Sequence, residues 1–238
     1  MTMINQKYDC NICDDTGYVP VKEEPTRLES CECEVDKMIR KRAEVNRLYS
    51  NITQLDTERF RLDNFDPKKQ LTKKGIADAT MLLKLLNSWR KREIKILTII
   101  GGVGIGKTHL SIATMMQVLH QDKGYYAPAS EVSVKSRNFE YNEAENYRSK
   151  LQSVEWLVLD DVGVEHDPRG YMQTFYHSVI DYRYSQQLQT LITTNLSING
   201  KKKDSLLKRL GERIVSRLNH KGISLCYEAE GQDIRRIK

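Results

Sequence analysis

Gly101-Gly102-Val103-Gly104-Ile105-Gly106-Lys107-Thr108 is the stretch on which the fold turns. It fits the pattern G-x-x-x-x-G-K-[ST], and its flanks agree with the motif: an apolar run over 96–100 leads in, and a helical pattern over 107–120 leads out. Strand, glycine loop and helix together turn backbone N–H groups inward around a β-phosphate, and the helix N-terminus adds partial positive charge. Lys107 then reaches the β- and γ-phosphates, and Thr108 offers a hydroxyl to Mg²⁺. ATP with Mg²⁺ is the expected ligand.

Working outward, strands and helices alternate. A helix is predicted over 75–91, strands over 96–100, 124–127, 156–159, 190–194 and 223–227, and helices over 107–120, 170–186 and 204–219, with a polar helical stretch reaching residue 150. Five strands separated by helices predict an α/β fold: a parallel five-stranded sheet covered by helices on both faces.

A phosphate loop needs an acidic group at the end of a neighbouring strand, and Trp156-Leu157-Val158-Leu159-Asp160-Asp161 supplies one. Asp160 is read as the magnesium-side carboxylate. Asp161 is placed to orient and deprotonate the attacking water, or else to cap the turn that follows. Asn195, directly after the run 190–194, is read as a sensor facing the γ-phosphate, with the beginning of a turn as its plainer reading.

With 39% apolar and 29% charged residues, the chain falls in the globular range, and no apolar run approaches the ~18 residues needed to cross a bilayer. A cytoplasmic, non-membrane protein is expected. The net charge of +6 permits contact with nucleic acid, although each basic cluster, such as Arg40-Lys41-Arg42 or Arg90-Lys91-Arg92, equally suits a solvated helix end.

Composition changes near residue 55, which divides the chain into an N-terminal region, 1–54, and an ATPase domain, 55–238. Cys10, Cys13, Cys31 and Cys33 form two close pairs, a grouping suited to tetrahedral thiolate coordination of structural Zn²⁺. A redox dithiol and unligated thiols are the alternatives. A helix over about 35–52 carries Val45, Leu48, Tyr49 and Ile52 at i, i+3, i+4 and i+7, a stripe that serves either as core or as a face for a partner protein. Another helix, over 204–219, carries Leu207, Leu210, Ile214 and Leu218 toward the core.

The blocks Gly106-Lys107-Thr108-His109-Leu110, Leu159-Asp160-Asp161-Val162-Gly163, Thr193-Thr194-Asn195-Leu196 and Leu210-Gly211-Glu212-Arg213-Ile214-Val215-Ser216-Arg217-Leu218 jointly resemble the DnaC/DnaI helicase loaders and the related IstB transposition helpers. The resemblance covers about 55–238. It implies an AAA+ ATPase with a reduced lid, His109 in the nucleotide site, single-stranded DNA as a partner, and placement of a hexameric replicative helicase on that DNA during replication initiation. It also implies self-association on helicase or DNA, with Arg217, or Arg213, as a finger acting on a neighbouring subunit. The plainer reading of Arg217 is an ion pair within the chain, for instance with Asp233. Arg235, or Arg236, falls where a second sensor arginine would lie, and both also suit a solvated tail. The cysteine pairs resemble knuckles that precede the ATPase domain in DnaI-type loaders and contact the helicase. Two other readings stand beside the loader: an IstB-like helper acting on duplex DNA, and an ATP-binding adaptor without useful hydrolysis, for which Asp161 in place of the commoner Glu is the support.

Overall fold

In the computed structural model, residues 12, 18–21, 24–30, 34–137, 141–165, 167, 170–198 and 205–236 are described. The four N-terminal cysteines lie outside this set. An antiparallel hairpin, β1 (Tyr18–Val21) and β2 (Glu24–Ser30), not anticipated from the sequence, precedes α1 (Glu34–Tyr49).

The alternation predicted downstream is present as α2 (Gln54–Arg59), α3 (Lys73–Arg90), β3 (Ile96–Gly101), α4 (Lys107–Val118), β4 (Gly124–Pro128), α5 (Ala129–Lys135), α6 (Tyr141–Ser153), β5 (Trp156–Asp160), α7 (Tyr171–Ser185), β6 (Gln189–Thr194), α8 (Leu206–Leu218) and β7 (Ser224–Ala229). The sheet runs β4-β5-β6-β3-β7, and all four pairings are parallel. Continuous apolar runs such as Trp156-Leu157-Val158-Leu159 suit strands buried on both faces. One face is covered by α3 and α4, whose Leu82, Leu86, Trp89, Leu110 and Met115 pack on Leu97, Ile99 and Val158. The other is covered by α6, α7 and α8 through Tyr147, Leu151, Val179, Ile180, Leu210 and Ile214. No helix of the described residues is long and apolar enough to cross a membrane.

Three local expectations are corrected. The polar stretch up to residue 150 is two helices rather than one, because α5 buries Ala129 and Val132 while α6 buries Tyr147 and Leu151. In α8 the buried set is Leu206, Leu210, Ile214 and Leu218, not Leu207; Gly211, at φ 78° and ψ 164°, breaks the helix and resets its phase. Finally, the stripe on α1 divides. Val45 and Leu48 stay 56% and 69% exposed, whereas the chain leaves the helix at Ser50-Asn51, with Asn51 at φ 66°, and only Ile52 turns into the core.

Candidate nucleotide site

Parallel register brings the C-terminal ends of three strands to one edge. Ile100 pairs with Thr194, which sets Gly101 level with Asn195, and Leu159 pairs with Ile192, which sets Asp160 level with Thr193. Loops leaving this edge form the crevice where ligands of open α/β sheets bind.

The loop after β3 has two glycines at which any side chain would be strained. Gly104 sits at φ +80°, and a Cβ there would run into Asp233; Gly106, at φ +98°, would meet the Phe65 ring at 2.6 Å. Gly106 caps α4, whose first residue is Lys107. The Lys107 ammonium is buried and donates to the carbonyls of Gly101 and Gly102, each at 2.9 Å, and to Asn195 Oδ1 at 2.7 Å. Burial pulls its pKa down, while Asp161 and Asp160 act in the opposite sense.

Asp160, 2% exposed, is held by three hydroxyls: Thr108 Oγ1 at 2.8 Å and the Tyr126 phenol at 2.8 Å on Oδ2, and Thr193 Oγ1 at 2.5 Å on Oδ1. Thr193 Oγ1 also accepts the Asp161 N–H at 2.9 Å, so one hydroxyl fixes both aspartates. Asp161 is half-buried and stands at φ 58°, a left-handed conformation uncommon outside glycine. Burial raises its carboxyl pKa, the Asp160 charge adds to the rise, and Lys107 and Arg235 partly oppose it.

A cavity of about 340 Å³ collects these parts: Val103, Gly104, Gly106, Lys107, Thr108 and His109 from the loop and helix, with Asp161, Asn195 and Arg235 facing them. The structure brings these predicted residues together, and the walls hold others that the sequence did not announce. Arg59 and Phe60 complete the cavity, the Arg59 guanidinium lying 5.1 Å over the Phe60 ring. Phe60 and Phe65 meet His109 edge to face, both at 5.5 Å, and His109 Nε2 lies 2.7 Å from the Arg61 carbonyl. His109 therefore faces the 59–65 segment. No contact with Asp160 was read for Tyr126 or Thr193, and side-chain alternation along β4 and β6 was the one available signal that they point at it.

Arg235 is brought over the loop by the end of β7 and the segment after it. Tyr227 and Glu230 bond to Asp78 of α3, Gln232 N–H donates to Gln70, and Ile234 N–H donates to the Gly104 carbonyl. Asp233 pairs with Arg235 at 2.9 Å. Arg217 is elsewhere: it forms an ion pair with Asp181 of α7, which also takes Arg213 at 2.9 Å. The suggested Arg217–Asp233 pair is thereby replaced, because α8 lies against α7, whereas Asp233 crosses the phosphate loop.

The cradle fits a phosphate chain: a loop turned by positive φ at Gly104 and Gly106, a buried ammonium and a helix N-terminus converge there. Thr108 and Asp160, in direct contact, make a hydroxyl and carboxylate pair suited to Mg²⁺. Among the described residues no group of three or more His, Cys, Asp or Glu side chains could hold a metal. A parallel sheet with this loop, this acidic strand end and a polar residue after the adjacent strand defines a P-loop nucleotide-binding protein. Within that class the chain belongs to the IstB-like ATP-binding protein family, whose model matches residues 34–236.

The replication initiator DnaA of Lacticaseibacillus casei (strain BL23) is 31% identical over 138 residues, which is 54% of this chain and 28% of that protein; the chain spans about a quarter of the length of the curated relatives it matches. Among solved structures, the DnaC helicase loader superposes with TM-score 0.57 at 23% identity, covering 74% of this chain and 99% of that one. DnaI superposes with TM-score 0.55 at 18% identity, covering 77% and 94%. Both likenesses are of fold.

Proposed function

We propose that this protein is an ATP-dependent loader that places a hexameric replicative helicase on single-stranded DNA at replication initiation, in the cytoplasm. The observation that carries this reading is the buried loop-and-aspartate site within a fold that covers the DnaC loader almost end to end. Lys107 and the backbone of Gly101 to Thr108 bind the phosphates of ATP, and His109 forms part of the same site. Bound Mg²⁺, held by Thr108 and Asp160, supplies charge neutralisation at the β- and γ-phosphates. Asp161 orients the attacking water and takes its proton, since it is a carboxylate beside the metal ligand but not engaged by Thr108. Asn195 reports the γ-phosphate to Lys107, and Arg235 serves as the second sensor of a reduced lid.

Residues 1–54 are the helicase-docking region, with Zn²⁺ held by Cys10, Cys13, Cys31 and Cys33, and 55–238 the ATPase domain; the end of α1 is their joint. Self-association on helicase or DNA lets Arg217 serve a neighbouring subunit. Membership of the IstB-like family supports a second reading, a transposition helper that acts on duplex DNA. Affinity capture separates the two. The full chain with ATP should retain a purified replicative helicase, and the full chain carrying Cys13→Ser should not. Retention of a transposase in place of helicase would establish the helper.

A further inference from the structure

β4 is an edge strand, paired only with β5, so its outward backbone groups need partners from elsewhere. At Tyr126 they find them at the end of α1. Tyr126 N–H donates to the Ser50 carbonyl at 2.8 Å, and Asn51 Nδ2 donates to the Tyr126 carbonyl at 3.0 Å. Asn51 reaches it from a left-handed conformation that asparagine tolerates better than most residues. The clasp is itself fixed. Ser50 is fully buried with its hydroxyl on the Arg47 carbonyl, and Asn46 donates to the carbonyls of Leu119 at 2.9 Å and Asp122 at 3.1 Å.

Alternation along β4 sends the two adjacent tyrosines to opposite faces. Tyr125 meets Tyr49 of α1 edge to face at 6.3 Å, while the Tyr126 phenol donates to Asp160 Oδ2, the oxygen that also takes Thr108. One residue thus touches the end of α1 through its backbone and the acidic strand end through its side chain. Groups that hold a metal-binding carboxylate from behind set its orientation and basicity.

We propose that Tyr126 is a positioning residue for the Asp160 carboxylate and ties it to the end of α1, so that the N-terminal helix and the metal-and-nucleotide site influence each other. This rests on the reading of Asp160 as the magnesium-side carboxylate. Coupling of this kind travels through packed, hydrogen-bonded contacts, here Ser50 to Tyr126 to Asp160, and by linkage acts equally in both directions.

The test uses the full chain, a fluorescent ATP analogue and a Mg²⁺ titration, with Tyr126→Phe, Asn51→Ala and Asp160→Asn beside the wild type. Tyr126→Phe keeps the ring and removes only the donor. It should raise the Mg²⁺ concentration for half-maximal binding by about 10-fold, as loss of a group behind a metal ligand does, while binding measured in EDTA stays unchanged. Asn51→Ala, which leaves every contact of Asp160 in place, should shift the same midpoint in the same direction. Amide exchange over residues 46–52 should slow when Mg²⁺ and analogue bind the wild type, and the slowing should be lost in Tyr126→Phe; a tyrosine that merely fills space would not move this readout. A Tyr126→Phe midpoint equal to wild type, with Asp160→Asn shifted, overturns the inference and leaves the site assignment standing. An unshifted midpoint in Asp160→Asn overturns the site assignment, and the inference falls with it.

Discussion

Lys107 Nζ donates to Asn195 Oδ1 at 2.7 Å, which connects the first residue of α4 to the residue that follows β6, both lining the same cavity. The ammonium is already oriented by two carbonyls, so it meets phosphate without a search through rotamers. Lys107→Ala should lower ATP affinity by about 10- to 100-fold, the range for 1.5–3 kcal/mol of charge-assisted hydrogen bonding. Asn195→Ala leaves the cation in place and should lower hydrolysis more than binding. Calorimetric titration with a non-hydrolysable analogue, beside steady-state turnover, checks both; wild-type affinity in Lys107→Ala would remove the P-loop assignment.

Asp161 sets a pH dependence of definite sign. Its carboxyl pKa is raised by burial and then by Asp160, so as pH falls it takes up a proton sooner than an ordinary aspartate. Because the carboxylate form is the one that removes the proton from water, kcat/KM should fall on the acid side above the usual carboxylate range, and Asp161→Asn should abolish that limb while retaining ATP binding. Stability runs the other way. Ionised Asp161 is disfavoured in the folded state, so this destabilisation is present near neutral pH and is relieved as pH falls through the raised value. Asp161→Asn should therefore melt no lower than wild type at pH 7. Loss of binding in step with loss of turnover would assign Asp161 to the metal instead.

Arg183 of α7 is fully buried, and its guanidinium is surrounded by the carbonyls of Leu151, Gln152, Val154, Glu155 and Gln189 and the hydroxyl of Thr190. Burial lowers its pKa to about 9, which still leaves it charged near neutrality. It is the fastener for the loop between α6 and β5 and for the start of β6. Arg183→Met fits the volume but strands several carbonyls away from water, and should cost about 3–5 kcal/mol in urea unfolding. A loss below 1 kcal/mol would mean that water reaches those carbonyls.

The N-terminal cysteines give a chemical prediction. Metal analysis of the purified chain should find one Zn²⁺, and Cys13→Ser should release it together with helicase binding while ATP binding persists, because so small a region depends on its metal to fold. Four titratable thiols and no zinc would defeat the assignment.

How much of this could be read beforehand varied with the physical origin of each signal. The loop from Gly101 to Thr108, Asp160, Asp161 and Asn195 announced themselves because backbone geometry and phosphate chemistry restrict the residues that can serve there. β3 and β5 were readable because burial on both faces demands apolar runs. Phe60, Phe65 and Tyr126 were not, since their contacts with His109, Gly106 and Asp160 join segments 49, 41 and 34 residues apart and follow no local period. The split of the α1 stripe at Asn51 and the phase reset at Gly211 were hidden for a related reason: a single left-handed residue redirects every side chain beyond it, and periodicity assumes that it does not.

Arg217 is the residue for which structure and expectation meet most sharply. In the single chain its guanidinium pairs with Asp181 and lies 5.1 Å over the Tyr184 ring, and Arg213, far more exposed, shares the same carboxylate. A partly exposed pair of this kind contributes little to stability, about 0–1 kcal/mol, so leaving Asp181 for a γ-phosphate on a neighbouring subunit is an inexpensive exchange. A finger that makes that exchange stabilises transition-state charge by ~10³ in kcat. Arg217→Ala should then keep ATP binding and melt within a few degrees of wild type, yet lose the hydrolysis that assembly on helicase or DNA stimulates. Mixing it with Lys107→Ala should restore part of that hydrolysis, each variant supplying the half-site the other lacks. Asp181→Asn separates release from loss: it frees Arg217 without removing it, so stimulated hydrolysis should equal or exceed wild type. Should Arg217→Ala and Asp181→Asn instead lower the melting temperature alike and leave stimulated hydrolysis untouched, the pair is a brace between α7 and α8, and the arginine acting in trans must be sought elsewhere, Arg213 first.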